Sequence, residues 1–263
     1  MTVRLPSVLD SSHYLRPIRS VTEGAIANTH LAMVKDAAGV PARAFVKVFP
    51  DTSPRGLLNE WLGYAVMSAL GIPQPPAAVM EVPFSGGTLY WSFVSFQPRP
   101  VSEGTPKEIY DLHSGKQVKL MVARLLACHA FASMVAADQL CMNADRNLGN
   151  LVFTGHKEFV VIDHGEILGG SNWAIESLLC TTSWVDSVAL RIATLQGPLP
   201  ASVANSIYAA AEVVAEQFFE SYSALVSNVN PNEKRDIAIA INAIWWRSLE
   251  LTKWFSEKLG LVL

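Results

Sequence analysis

The stretch that most constrains the fold of this chain is residues 143–168, which read NADRNLGNLVFTGHKEFVVIDHGEIL. A polar TGHKE segment separates two short apolar runs, LVF and FVVI, and this pattern predicts a β-hairpin. A hairpin brings its two ends side by side, so Asn150 before the first strand and Asp163 after the second are expected to meet at one mouth. Asp145 precedes Asn150 by five residues, and we expect it to face the same opening.

These three polar side chains have the chemistry of a magnesium site. The carboxylate of Asp163 and the carboxamide of Asn150 offer hard oxygen ligands, and Mg²⁺ takes few protein ligands and shares the rest with phosphates and water. The second carboxylate, Asp145, is suited to orienting a nucleophile. The mouth of the hairpin is therefore the candidate functional site.

A lone lysine lies in the third of five predicted strands, in the run RAFVKVF. Alternation puts Phe45, Lys47 and Phe49 on one face of this strand. An aromatic face with one central lysine is not a typical solvated face, and a flexible ammonium group suits contact with nucleotide phosphates. The alternative is an edge lysine that extends its charge into solvent.

A lone glutamate lies in the helix predicted at residues 54–70, which has no charged face. Burying Glu60 without a partner would be costly, so it needs a cation. Lys47, thirteen residues earlier, is the natural candidate. The alternative is a first-turn glutamate that the helix dipole stabilises.

The remaining elements follow from periodicity and turn residues. The first turn, residues 22–28, has Gly24 as its only glycine and is either a backbone anion-binding turn or an ordinary hairpin turn. Gln97 opens a proline-rich connector, QPRP. Strands are predicted at residues 13–20, 29–35, 43–49, 77–82 and 88–96, and helices at 54–70, 116–140, 172–179, 184–195, 201–227 and 232–259.

Taken in order, these features resemble the protein-kinase-like superfamily. Asp145 to Asn150 match its D-x-x-x-x-N motif, and Asp163 to Gly165 match its D-x-G motif. The residues D-R-x-x-x-N and I-D-H-G in these two motifs are most similar to those of HipA-like kinases, and they are also similar to those of type II phosphatidylinositol 4-kinases. Ala144 replaces the histidine that precedes the catalytic aspartate in conventional protein kinases, which argues against a conventional eukaryotic-type kinase.

The resemblance implies an α+β, protein-kinase-like two-lobed fold that forms one kinase-like domain. A small antiparallel β-sheet with one helix would form the N-lobe, residues 1–97. A mainly α-helical C-lobe would follow, residues 98–263. The resemblance also implies an ATP- and Mg-dependent phosphotransferase of the atypical serine/threonine kinase type.

The resemblance assigns roles to the site residues. Asp145 is the expected catalytic base or nucleophile orienter, and Asn150 and Asp163 are the expected magnesium ligands.

The expected ATP contacts come from the first part of the chain. Lys47, braced by Glu60, would hold the ATP phosphates, with Gly24 in the turn above them. Gln97 would lie at the hinge, where the backbone of kinase-like folds binds adenine.

The expected partner is a protein substrate with a Ser or Thr hydroxyl. Since some HipA-like proteins are toxins, the resemblance also raises the expectation of an antitoxin partner. A lipid or small-molecule kinase of related fold and a nucleotide-binding pseudokinase are the alternatives.

The composition argues against several classes of protein. A net charge of −3 and a pI near 6.1 give no global basic surface, so nucleic acid is not expected as a direct ligand. The longest uncharged stretch, residues 61–80, contains three prolines, and no membrane span is expected. Three cysteines without metal-type spacing fit a reducing, cytoplasmic location.

Overall fold

The computed structural model of the chain describes residues 3–21, 27–50, 52–84, 86–98, 116–143, 145–179, 190–191, 194, 197–227 and 234–260. Within these residues the chain forms a six-stranded sheet followed by a mainly helical part that carries a short hairpin. Of the described elements, every strand of the large sheet ends before residue 97, and every α-helix but one begins after it.

The large sheet contains the five predicted strands and one more. Its strands are β1 (Ser7–Leu9), β2 (Tyr14–Ser20), β3 (Asn28–Lys35), β4 (Pro41–Val48), β5 (Ala77–Phe84) and β6 (Thr88–Phe96). Their order is β1-β5-β6-β4-β3-β2, and neighbours are antiparallel except β1 and β5, which are parallel. The sequence did not predict β1, because three residues are too few to show a two-residue period.

Helix α1 (Gly56–Ala69) connects the sheet to the helical part. It is buried nearly all round, as its uncharged sequence predicts. Leu62, Val66 and Met67 of α1 belong to the large apolar core of the helical part. The helix that the sequence places in the N-lobe therefore also belongs to the C-terminal core, and the division at residue 97 stays a prediction.

Strand β4 presents two different faces. Val46 and Val48 are buried in an apolar cluster made of sheet side chains. Lys47 lies between them in the sequence and therefore points to the opposite face, towards α1. Phe93, the residue opposite Lys47 on β6, packs against Tyr64 of α1 on that face. The alternation predicted for this strand is present.

The helical part and the hairpin that the sequence predicts share one large apolar core. The elements are α2 (Lys116–Leu126), α3 (Phe131–Leu140), β7 (Leu151–Gly155), β8 (Glu158–Val161), α4 (Ile175–Leu179), α5 (Ala201–Ser227) and α6 (Lys234–Leu259). Helices α5 and α6 pack against each other and against α3. Most of the helix predicted at residues 184–195 lies outside the described residues.

The prediction of one helix over residues 116–140 is wrong, because α2 and α3 are separate helices that meet at 81°. The turn between β7 and β8 stabilises the break. The N–H of His129 donates to the carbonyl of Lys157, and Arg124 donates to the carbonyl of His156 in that turn and to the carbonyl of Gly155 at the end of β7. Apolar residues continue at helical spacing across the break, so the sequence pattern does not show it.

Two expectations from composition can be compared with the described residues. No single helix among them is long and apolar enough to cross a membrane; only the bent pair Lys119–Leu126 and Phe131–Leu140 meets those criteria, when its two halves are counted together. Cys128 and Cys141 are buried free thiols.

A buried arginine ties α6 to the end of α3, and its removal should destabilise the fold. The guanidinium of Arg247 donates to the carbonyls of Gln139 and Leu140. We predict that Arg247→Leu lowers the free energy of unfolding by about 2–4 kcal/mol, because the carbonyl of Leu140 loses the guanidinium donor and the carbonyl of Gln139 keeps only backbone donors. Denaturant titration measures this change. Lys253→Leu, on the exposed side of the same helix, should stay within about 0.5 kcal/mol of the native protein, and equal losses in both variants would contradict the prediction.

Candidate functional site

The ammonium group of Lys47 lies between two carboxylates. Its Nζ is 2.5 Å from Oε1 of Glu60 on α1 and 2.7 Å from Oδ1 of Asp163 after β8. The side chain of Glu60 is 1% exposed, that of Lys47 is 11% exposed and that of Asp163 is 39% exposed. The predicted pair of Lys47 and Glu60 is present, and the alternative of a solvated edge lysine is wrong because Lys47 is largely buried.

These three groups determine one another's charge. Burial alone would lower the pKa of Lys47, but the carboxylates of Asp163 and Glu60 outweigh it and raise that pKa. Burial, followed by the charge of Asp163, raises the pKa of Glu60, and the ammonium group of Lys47 opposes this rise. For Asp163 the ammonium outweighs burial and holds the pKa well below its ordinary value. Lys47 is therefore a cation and Asp163 an anion at neutral pH.

Glu60 also fixes the backbone beside Asp163. Its second oxygen, Oε2, accepts the N–H of His164 at 3.0 Å. Asp163 has a φ of +67°, in the left-handed region that residues other than glycine seldom adopt. Such a conformation persists only where the surrounding structure holds it, and the Glu60 contact is one of the interactions that do so.

The mouth of the β7–β8 hairpin brings Asp145, Asn150 and Asp163 into one region. Asn150 lies immediately before β7, and its carbonyl accepts the N–H of Ile162 at 3.0 Å, beside Asp163. Its side-chain Nδ2 donates to the carbonyl of Asp145 at 2.9 Å. Burial and then the charge of Asp163 raise the pKa of Asp145, so the two carboxylates are close enough to repel each other.

The donor set at this mouth fits a magnesium ion. The amide nitrogen of Asn150 is used by the carbonyl of Asp145, so the amide oxygen is the atom left to bind a cation. Asp163 adds an ionised and partly exposed carboxylate. Among the described residues no group of three or more His, Cys, Asp or Glu side chains could hold a metal ion. Two oxygen ligands suit Mg²⁺, which completes its shell with phosphates and water.

Arg146, next to Asp145, is fully buried and holds the loop that carries it. Its Nε is 3.0 Å from Oδ2 of the buried Asp138 on α3, and its Nη1 donates to the carbonyl of Ile162 at 2.6 Å. The side chain of Asn143 accepts the N–H of Asp145 at 3.1 Å. The loop is thus attached to α3 on one side and to the end of β8 on the other.

His164 is buried against α1 in one neutral tautomer. A Cβ added at Gly63 would lie 2.4 Å from the Cβ of His164, so only glycine allows this approach. Nδ1 is 3.3 Å from Nη2 of Arg146, which can only donate, so Nδ1 accepts. Nε2 is 3.2 Å from Oε1 of Gln74, whose orientation is fixed by donation to the carbonyl of Tyr64, so Nε2 carries the proton.

Asn59 binds the segment that follows the D-x-G motif. Its Oδ1 accepts the indole N–H of Trp173 at 2.8 Å. Its Nδ2 lies within 3.1 Å of three backbone carbonyl oxygens, those of Gly165, Ile167 and Gly170. One buried amide on α1 therefore fixes four residues of this segment.

The described structure does not connect two predicted site residues, Gly24 and Gln97, to the side chains at the hairpin mouth. Gly24 lies outside the described residues. Gln97 follows β6 with an exposed side chain, and its N–H donates to the carbonyl of Arg43 at 2.8 Å. This N–H is therefore already used, and both roles in nucleotide binding stay predictions.

Sequence reasoning missed Asn59, Arg146 and Glu166. Asn59 had a signal, because it is an isolated amide on an otherwise apolar helix. Arg146 directly follows Asp145, but nothing in the sequence shows that it is buried. Glu166 directly follows the D-x-G motif, and the charges of Asp145 and Asp163 both raise its pKa, after the larger effect of burial.

Comparisons with known proteins support the fold. No protein-family model matches the sequence, and no curated protein matches it. Among solved structures, the fold is similar to that of a proinflammatory kinase of Helicobacter pylori, CtkA, with a TM-score of 0.58 and 13% sequence identity over 97% of this chain and 98% of that chain. The chain has the α+β, protein-kinase-like two-lobed fold that the sequence predicts.

Burial of neutral His164 should make stability depend on pH. Burial and then the charge of Arg146 lower the pKa of His164 well below 6.5 in the folded chain. Below pH 6.5 the unfolded chain therefore binds more protons than the folded chain, and stability falls as the pH falls. Between pH 7 and pH 5 we predict that the native protein loses about 2 kcal/mol more stability than the His164→Gln variant.

Denaturant titrations at the two pH values measure this difference. His129→Gln, at an exposed position in the turn between α2 and α3, is the matched control and should keep the pH dependence of the native protein. A His164→Gln variant with the native pH dependence would contradict the prediction.

Proposed function

We propose that the chain is an ATP- and Mg²⁺-dependent phosphotransferase that resembles HipA-like serine/threonine kinases and transfers the γ-phosphoryl group of ATP to a protein hydroxyl. The observation that carries this proposal is the ammonium group of Lys47 between the carboxylates of Glu60 and Asp163. It connects a buried, positioned cation to the hairpin mouth that also holds Asp145 and Asn150. Phosphoryl transfer uses this combination of a cation, a metal-binding pair and a second carboxylate.

Lys47 would bind the ATP phosphates, and Glu60 would keep it in position. Glu60 is suited to this role because its two oxygens bind the ammonium group and the N–H of His164. Asn150 and Asp163 would hold magnesium, which neutralises charge on the phosphates when bound.

Asp145 would orient the acceptor hydroxyl and receive its proton. The hydroxyl oxygen forms a bond to the γ-phosphorus while the bond between that phosphorus and the oxygen of ADP breaks. Burial and the charge of Asp163 raise the pKa of Asp145, which makes it a stronger proton acceptor than an exposed aspartate. Because Arg146 and Asn143 fix its loop, little reorganisation accompanies the reaction.

One experiment separates this proposal from its alternatives. A cell lysate is incubated with the protein, γ-labelled ATP and Mg²⁺, and proteins and lipids are analysed separately. Label in protein supports the proposal, whereas label in the lipid extract indicates a lipid kinase. ATP binding without transfer indicates a pseudokinase. The presence of all five polar residues, Lys47, Glu60, Asp145, Asn150 and Asp163, argues against that last outcome.

Loss of Asp163 should remove most of the activity. We predict that Asp163→Ala lowers the rate of phosphoryl transfer by about 10³-fold or more, or ~4 kcal/mol, because the variant lacks a metal ligand and a partner of Lys47. Initial rates at saturating ATP measure this loss, and thermal unfolding checks that the variant is folded. Asp10→Ala, at an exposed position before β2, should keep native turnover. Near-native turnover in Asp163→Ala would overturn the assignment.

A further inference from the structure

Each of the five N–H donors of the buried Arg146 guanidinium has an acceptor. Nε donates to the carboxylate of Asp138, and Nη1 donates to the carbonyls of Ile162 and Asp163 at 2.6 Å and 3.3 Å. Nη2 is 3.1 Å from Oδ1 of Asp138 and 3.3 Å from Nδ1 of His164. The ring of His164 therefore accepts the fifth N–H, and its loss would leave a buried, charged donor without a partner.

Arg146 connects the two carboxylates of the hairpin mouth. It directly follows Asp145 in the chain, and it donates to the carbonyl of Asp163. Asp138 on α3 fixes the guanidinium from the other side. A change in the orientation of the guanidinium would therefore shift Asp145 relative to Asp163. A shift of about 1 Å between positioned groups can lower a reaction rate about 100-fold.

Gln74 anchors the opposite side of the His164 ring. It lies in the connection between α1 and β5, 90 residues before His164, and its Oε1 is 3.2 Å from Nε2 of that ring. Its own Nε2 donates to the carbonyl of Tyr64 at 2.7 Å, which turns Oε1 towards the ring. Because Nδ1 accepts from Arg146, the ring carries its proton at Nε2, and Gln74 accepts this N–H.

The connection that carries Gln74 is itself attached to two elements of the site. The carbonyl of Pro73 accepts the N–H of Val161, at the end of β8, at 2.9 Å. The carbonyl of Pro76 accepts the N–H of Phe96, at the end of β6, at 3.0 Å. The backbone on each side of Gln74 is thus fixed relative to the hairpin and to the sheet, so its amide can hold the ring in one orientation.

We propose that Gln74 is a positioning residue for phosphoryl transfer. By accepting the N–H at Nε2 of His164, it keeps Nδ1 directed at Arg146, and Arg146 holds Asp145 and the backbone of Asp163 at their working separation. The inference rests on the proposed function and adds to it a residue far from the catalytic stretch in sequence. Hydrogen bonds that act in series in this way depend on one another, so the loss of the first weakens the last.

The proposed ATP contact does not depend on this series of hydrogen bonds. Lys47 is held by Glu60 on α1 and by the carboxylate of Asp163. Loss of the Gln74 amide should therefore slow the chemical step and leave the binding of ATP nearly unchanged. This separation of kcat from KM is what distinguishes a positioning role from a general loss of structure.

Gln74→Met tests the inference, because it keeps the length of the side chain and removes its amide. The acceptor is the protein that takes up label in the lysate experiment, after purification. We expect kcat to fall about tenfold and the KM for ATP to change by less than about threefold. Gln74→Leu, measured in parallel, should give the same result, and thermal unfolding checks that both variants are folded. Gln117→Met, at an exposed position on α2, should keep the native kcat.

The His164→Asn background shows whether Gln74 acts through the ring. In asparagine Oδ1 is bonded to Cγ, as Nδ1 is in histidine, so this variant keeps an acceptor for Arg146 that does not need Gln74. Adding Gln74→Met to this background should change kcat by less than about twofold. A further tenfold fall there would overturn the inference, because Gln74 would then act by another route.

Nitrogen NMR of the histidine rings gives a readout that is independent of activity. At neutral pH the native protein should show His164 as one tautomer, protonated at Nε2, and the signal is identified by its absence from His164→Asn. Gln74→Met should populate the second tautomer, because Nε2 has lost its acceptor. An unchanged tautomer in Gln74→Met would overturn the inference.

The outcomes distinguish the positioning role from the proposed function. A labelled protein together with native kcat in Gln74→Met contradicts the positioning role and leaves the phosphotransferase intact. Equal changes of kcat and of the KM for ATP in that variant indicate a structural role and also contradict the inference. Absence of label in every lysate protein contradicts the proposed function, and the positioning role with it.

Discussion

The structure depends on one buried carboxylate, that of Glu60, which the core cannot hold without partners. Its partners come from two distant parts of the chain: the ammonium group of Lys47 on β4 and the backbone N–H of His164 after β8. Leaving such a charge unpaired costs far more than the pair gains when it forms. The contacts of the candidate site therefore also help to hold the sheet, α1 and the hairpin in their relative positions.

Helix α1 acts as the common support of this arrangement. Asn59 fixes the segment after the D-x-G motif, Glu60 fixes the motif's backbone, and Gly63 leaves room for His164. These are consecutive or nearly consecutive positions on one helix, so a single rigid element determines several distances at once. Side chains that are held by buried hydrogen bonds on such an element lose little entropy when a ligand binds.

The sequence predicted those parts of the site in which a single charged residue lies in an otherwise apolar segment. Lys47 and Glu60 could be paired from sequence because each lacked another partner, and the hairpin followed from two short apolar runs separated by a polar segment. The break between α2 and α3 could not be predicted, since it depends on carbonyls of a turn about 30 residues away. The role of Arg146 could not be predicted either. An arginine is expected at the surface unless its buried partner is known.

The packing of α1 into the C-terminal core has a consequence for how the chain folds. Residues 1–97 are synthesised first, yet the apolar side chains Leu62, Val66 and Met67 have their packing partners in helices that emerge much later. The bond from Asn59 to the carbonyl of Gly165 spans 106 residues. Contacts of such long sequence separation form slowly. Because α1 shares its core with the later helices, we expect the two lobes to unfold as one cooperative unit, and we expect an N-terminal fragment ending near residue 97 to expose an apolar helix and aggregate.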